Sequence, residues 1–189
     1  PIKGPLIMIA NHPFGIIDGL IMCSLASKVR SDFKILTHET LQFAPEVGKY
    51  ILPIDFSENK RETIRNNIET AKDAKRHLLN DGLLIIFPSG SVSIAKDSKS
   101  TAEDDDWKHF TAKILKQTKS DVLPVYFDGN NGLLFHIFAS KIKNQTLKYS
   151  SYIHETKKMI GKEINFYPGS VIKYNDLSKI SNREKLTEY

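Results

Sequence analysis

The feature that most constrains this chain is its alternation of short, unbroken apolar runs with longer segments of helical periodicity. Leu6-Ile7-Met8-Ile9-Ala10 and Leu83-Leu84-Ile85-Ile86-Phe87 are apolar at every position. A strand exposed on one face alternates polar and apolar residues, so such runs belong to strands covered on both faces. Phe33-Lys34-Ile35-Leu36, Tyr50 to Phe56, Val122 to Phe127 and Ile164-Asn165-Phe166-Tyr167 are further strand candidates. Between them, Asp18 to Val29 fits a buried helix. Asn59 with Glu62 forms a capping-box-like opening for a helix that Gly82 stops, with Ile64, Ile68, Ala71, Lys75 and Leu78 on one side. Trp107, Phe110, Ile114 and Leu115 mark another helix, and Ser150 to Ile160 one more, ended by Gly161. The expected fold is a single α/β domain, with a mostly parallel central sheet flanked by helices.

Composition narrows the class. A chain of 189 residues, 40% apolar and 26% charged, suits one globular domain with a sizeable core. The longest nearly uncharged stretch, Gly4 to Ser27, is broken by Asn11-His12-Pro13, Gly15 and Asp18, whereas a spanning helix needs about 20 predominantly apolar residues. The lone Cys23 excludes an internal disulfide framework and a cysteine-rich zinc site. It is expected to be packed rather than reactive. The net charge of +5 is unevenly placed: residues 1–140 hold 17 basic and 17 acidic side chains, and residues 141–189 hold 10 and 5. That basic quarter is either a solvated surface or a dock for anionic lipid or an acidic protein. No nucleic-acid motif accompanies it, and no nucleic-acid partner is expected. The chain opens on Pro1 rather than Met, so an upstream segment is expected.

The first residues with chemistry in them are Asn11-His12-Pro13-Phe14-Gly15-Ile16-Ile17-Asp18. They follow a strand, and reacting groups of open α/β sheets gather at the carboxyl ends of strands. Imidazole, with an ordinary pKa of about 6.5, accepts a proton near neutrality. A carboxylate on its far nitrogen fixes the tautomer and steadies the imidazolium. The plainer reading is that His12 finishes a turn and Asp18 caps the following helix. Downstream, Phe87-Pro88-Ser89-Gly90-Ser91-Val92-Ser93 is either an ordinary turn or a cradle of N–H groups and hydroxyls for a polar head group.

Together these blocks resemble the glycerolipid/lysophospholipid acyltransferase superfamily, and most closely its bacterial hemolysin-like branch, which includes ornithine-lipid O-acyltransferases. Asn-His-Pro-Phe-Gly-x-x-Asp-Gly is similar to the first motif. The common spacing has four residues between histidine and acid, whereas Pro13 to Ile17 make five here, with Gly15 allowing the tighter turn. Phe87, Pro88, Gly90 and Ser93 match the superfamily's Phe-Pro-Glu-Gly-Thr-Arg-Ser block. Ser89, Ser91 and Val92 stand for its glutamate, threonine and arginine. No arginine falls near Leu52-Pro53-Ile54-Asp55-Phe56, where the superfamily binds an acceptor phosphate; Lys60, Arg61 and Arg65 lie downstream. The strand Val122 to Phe127, with Pro124, resembles the fourth block, and the similarity runs over residues 4–175.

The resemblance implies an acyltransferase domain over 1–175 and a basic tail or helix over 176–189. It implies His12 as general base and Asp18 as its orienting acid, with Asn11, Phe14, Gly15, Ser89, Gly90 and Ser91 at the substrate. The activity implied is transfer of a fatty acyl group from acyl-carrier protein or acyl-CoA to the hydroxyl of a lysophospholipid or lyso-ornithine lipid. No metal or cofactor beyond the acyl co-substrate is implied. The enzyme would work peripherally at the cytoplasmic face of a membrane, with a docking segment upstream. A non-catalytic lipid-binding module and an acyl thioester hydrolase are the alternatives. Two signals are expected to carry no function. Glu103-Asp104-Asp105-Asp106 reads as a solvated loop, and His38, His77, His109, His136 and His154 lack zinc-motif spacing. Leu133 to Phe138 reads as buried core or as a surface that dips into lipid.

Overall fold

The apolar runs form the strands they imply. A computed structural model describes residues 2–43, 45–57, 60–95, 100–136, 145–180 and 182–188. Its strands are β1 (Leu6–Ala10), β2 (Phe33–His38), β3 (Ile51–Ile54), β4 (Leu83–Ile86), β5 (Asp121–Asp128) and β6 (Asn165–Pro168). They make one sheet in the order β3-β2-β4-β1-β5-β6, parallel except for β6, which pairs antiparallel with β5. Leu83, Leu84 and Ile85 in β4 and Leu6, Ile7 and Met8 in β1 are buried, because helices cover both faces.

The helices are α1 (Ile16–Val29), α2 (Lys60–Leu79), α3 (His109–Thr118), α4 (Gln145–Met159), α5 (Tyr174–Leu177) and α6 (Arg183–Glu188). Met22 and Ala26 of α1 pack on Met8, Ile35, Ile85 and Phe127 on one face. Ala74 and Leu78 of α2, with Ala112, Ile114 and Leu115 of α3, pack on Ile7, Leu84 and Val122 on the other. The α1 connection leads from β1 to β2 on one side, while the α3 connection leads from β4 to β5 on the other. The exits of the adjacent strands β1 and β4 therefore diverge, which opens a crevice at their carboxyl ends. Among the described residues, no helix is long and apolar enough to cross a membrane.

Two expectations need correction or division. In α2 the buried face is Thr70, Ala74 and Leu78, and Ile64 and Ile68 are 59% and 50% exposed. Polar contacts rotate the amino-terminal half of the helix: Thr63 Oγ1 donates to Ser57 O, Asn67 exchanges two bonds with the Asp55 backbone, and Thr70 Oγ1 donates to Pro53 O. Asn59, its expected cap, lies outside the described residues, and Asn66 Nδ2 donates to the Asp55 carboxylate. The 133–138 run divides, with Leu133 and Leu134 exposed, Phe135 and His136 buried, and 137–138 outside the described residues. Beyond residue 175, Leu177 and Leu186 are buried in the core on the α3 side.

Candidate active site

The turn after β1 is built around one carboxylate oxygen. Gly15, at φ 79°, is the cap from which α1 begins, and Asp18 is the third helical residue. A Cβ on Gly15 would sit 3.2 Å from Val92 Cγ2 and 3.4 Å from Tyr152 Cδ1, so both the backbone angle and the packing call for glycine. Asp18 is fully buried. Its Oδ2 accepts the Phe14 N–H at 2.8 Å and the Gly15 N–H at 2.9 Å, and meets His12 Nδ1 at 3.0 Å. A negative charge in the first turn of a helix is also favoured by the helix dipole. Asp18 thus closes the turn and holds the imidazole with the same oxygen. The turn-closing bonds and the contact with the ring coexist on that one atom.

The electrostatic consequence falls on the other ring nitrogen. An ionised carboxylate only accepts, so Nδ1 carries the proton and Nε2 is left with a lone pair. The His12 ring stacks on Phe87 with centroids 3.9 Å apart and planes at 22°, which fixes its plane. Its side chain is 17% exposed. Phe87 directly follows β4, so the stack sits in the crevice between the diverging strands.

The turn after β4 has a different character. Gly90 N–H donates to Phe87 O at 3.0 Å, and the buried Ser89 hydroxyl donates to Ser91 O at 2.8 Å. Ser91 Oγ donates to Asp105 Oδ2 at 2.8 Å, and Ser93 Oγ to Asp104 Oδ1. Ser93 N–H donates to His12 O at 2.9 Å, which ties the two turns together.

The acidic run is the largely exposed loop expected, with Glu103, Asp105 and Asp106 at the surface, but Asp104 is half-buried and bonded. Residues 100–108 form a strap across the strand ends, bridged to Ile94 through Glu103 and to Pro88 O through the Lys108 N–H. Asp104 is its centre. Oδ1 accepts the His12 backbone N–H at 3.1 Å, and Oδ2 accepts Trp107 Nε1–H at 3.0 Å. Sequence reasoning missed this residue, because 92 positions separate it from His12 and no spacing rule links them.

The remaining candidates fall into place around this pair. Asn11 uses its whole amide on Phe127 of β5, donating to its carbonyl at 2.9 Å and accepting its N–H at 2.7 Å. Phe14 is buried and packs against Gly129, where a Cβ would run into its ring. Gly90 is exposed, with φ 72°. A cavity of about 410 Å³ adjoins the turn; Asn11, Glu103, Asp104, Trp107 and Tyr126 help line it, and among the described residues no basic side chain does. Burial pushes the Cys23 thiol up to about 11, the mark of a packed thiol. Among the described residues, no group of three or more His, Cys, Asp or Glu could hold a metal ion. In the basic quarter, Lys158, Lys173 and Lys179 pair with Glu155, Asp121 and Asp176.

Comparison with known proteins adds the family. The lyso-glycine lipid O-acyltransferase of Phocaeicola vulgatus is 24% identical over 152 residues, covering 79% of this chain and 51% of that protein. The lyso-glycine lipid O-acyltransferase of Bacteroides thetaiotaomicron is 26% identical over 152 residues, covering 79% of this chain and 53% of that protein. The chain thus spans about half the length of the curated relatives it matches. The profile of the family described as Acyltransferase matches residues 1–128, a stretch that holds β1 to β5 with the His12 turn, the Phe87 turn and the acidic strap. On that match the chain belongs to the acyltransferase family.

Proposed function

We propose that this chain carries the catalytic domain of a lysolipid O-acyltransferase. The observation that carries the reading is the His12–Asp18 pair, 3.0 Å apart in a crevice between parallel strands, with Nε2 left as proton acceptor. The acceptor hydroxyl gives its proton to His12 Nε2 as its oxygen attacks the thioester carbonyl. The C–S bond then breaks, and the leaving thiolate takes the proton back from the imidazolium. Asp18 remains ionised and stabilises the imidazolium throughout. A positioned base of this kind contributes about 10²–10⁴-fold to the rate.

The donor in this reading is acyl-carrier protein or acyl-CoA. The acceptor is an amino-acid lysolipid rather than a lysophosphatidate. Asp104 and Asp105 stand beside the Phe87 turn, and among the described residues the adjoining cavity is lined by the carboxylates of Glu103 and Asp104 and by no cation, an environment that disfavours a phosphate. The names of the two relatives point the same way. Because the acceptor is itself a membrane lipid, the enzyme works peripherally at the cytoplasmic face of the bilayer.

The test is a labelled acyl thioester offered with lyso-glycine lipid, lyso-ornithine lipid and lysophosphatidate. Labelled diacylated amino-acid lipid is the expected product. Free fatty acid alone would make the protein a thioester hydrolase, and no turnover would make it a lipid-binding module.

A further inference from the structure

His12 is held from two sides by two carboxylates, and only one of them belongs to a motif. Asp18 bonds the ring. Asp104 bonds the main chain of the same residue from a strap 92 positions away. Its contacts reach three separate segments: the His12 N–H at the exit of β1, the Ser93 hydroxyl beyond β4, and Trp107 Nε1–H ahead of α3. The strap is itself anchored, with Ser91 on Asp105, Ala102 N–H on Asn130 Oδ1, and the Lys108 N–H on Pro88 O. A half-buried carboxylate with donors on both oxygens has little freedom to move, and His12 shares that rigidity.

We propose that Asp104 is a positioning residue for the His12 base. It touches neither ring nitrogen in the structure and acts through the His12 backbone. The turn after β1 contains Pro13 and the positive-φ Gly15, and His12 sits ahead of α1 outside any regular element. Without Asp104 the His12 N–H loses its acceptor, and the ring is anchored by Asp18 and the Phe87 stack alone. A displacement of about 1 Å at a reacting group can cost on the order of 100-fold in rate.

The kinetic arm rests on the acyl-transfer reading above; the spectroscopic arm does not. Three variants of the full chain are compared: Asp104→Leu, Asp104→Asn, and Asp104→Asn with Trp107→Phe. Leucine removes both acceptors. Asparagine keeps one oxygen for His12 but turns an amide N–H₂ against Trp107 Nε1–H, and Trp107→Phe removes that opposing donor. For Asp104→Leu, kcat is expected to fall about 100-fold, with KM within about threefold of wild type. Asp104→Asn should fall less, and the double variant should recover most of that loss. The His12 Nδ1–H resonance, followed by proton NMR, should shift or broaden in both single variants and return in the double. If Asp104→Leu does not fold, the two asparagine variants decide alone. Wild-type kcat in Asp104→Leu, no recovery in the double variant, or an unmoved His12 resonance overturns the proposal. Absence of acyl transfer by the wild type would sink the functional reading, while the resonance would still test Asp104.

Discussion

The exits of β1 and β4 lie side by side, each turns through proline and a positive-φ glycine, and they do opposite things with their polar groups. After β4, Ser89, Ser91, Ser93 and the Gly90 N–H all bond within the protein. After β1, Asp18 gathers two backbone N–H groups and one ring nitrogen, and the other ring nitrogen keeps its lone pair. Under the proposed mechanism, the difference separates a frame from a reacting group. Each of these hydroxyls spends its one donor inside the protein, so it meets a substrate as an acceptor unless that bond is first broken. The β4 exit supplies Phe87 beneath the imidazole and the tie from Ser93 N–H to His12 O. In the proposed mechanism the chemistry belongs to the β1 exit.

Substitutions can break or sharpen that contrast, and among those that leave His12 in place Asp18→Asn should have the largest effect. The carboxamide no longer fixes the tautomer with a negative charge, so kcat should fall by about 100-fold or more. Steady-state kinetics would check it, and loss confined to KM would contradict it. Gly15→Ala comes next. Its positive φ and the 3.2 Å approach to Val92 should cost about 1–2 kcal/mol or more, read from the urea midpoint. Ser91→Ala tests the frame, removing a surface bond to Asp105. Stability should fall by about 0.5–1.5 kcal/mol and kcat by less than about threefold. A large KM increase with normal stability would move the head group to the β4 exit.

The smallest effect concerns His136, which accepts the Ala95 N–H on Nδ1 and faces Asn131 O through Nε2. Burial holds its pKa below the ordinary 6.5. Above 6.5 the residue is neutral folded or unfolded, and its contribution is complete. As pH falls from there towards the folded pKa, the unfolded chain takes up the proton first and stability declines. Urea midpoints from about pH 7.5 down to about pH 5 should fall more steeply in wild type than in His136→Gln.

Much of the fold was legible because its signals are local. Strands covered on both faces must be apolar throughout, as Leu6–Ala10 and Leu83–Ile86 are. The His12–Asp18 contact was legible for the same reason, since a single turn joins the two residues. Ile64 and Ile68 misled because the neighbouring row of α2 is held by hydrogen bonds to Ser57, Asp55 and Pro53, which apolar periodicity does not register. Asp104 was illegible for a topological reason. The acidic run is largely exposed, and it is the sheet order that places Asp104 within it against the ends of β1 and β4.

The most direct test of the central claim is the rate of acyl transfer to a lysolipid by His12→Ala beside wild type, with folding verified by thermal unfolding. A loss of about 10²–10⁴-fold in kcat, with the melting temperature little changed, is the predicted result. Transfer at the wild-type rate would show that the base lies elsewhere and that the pair after β1 only caps a helix.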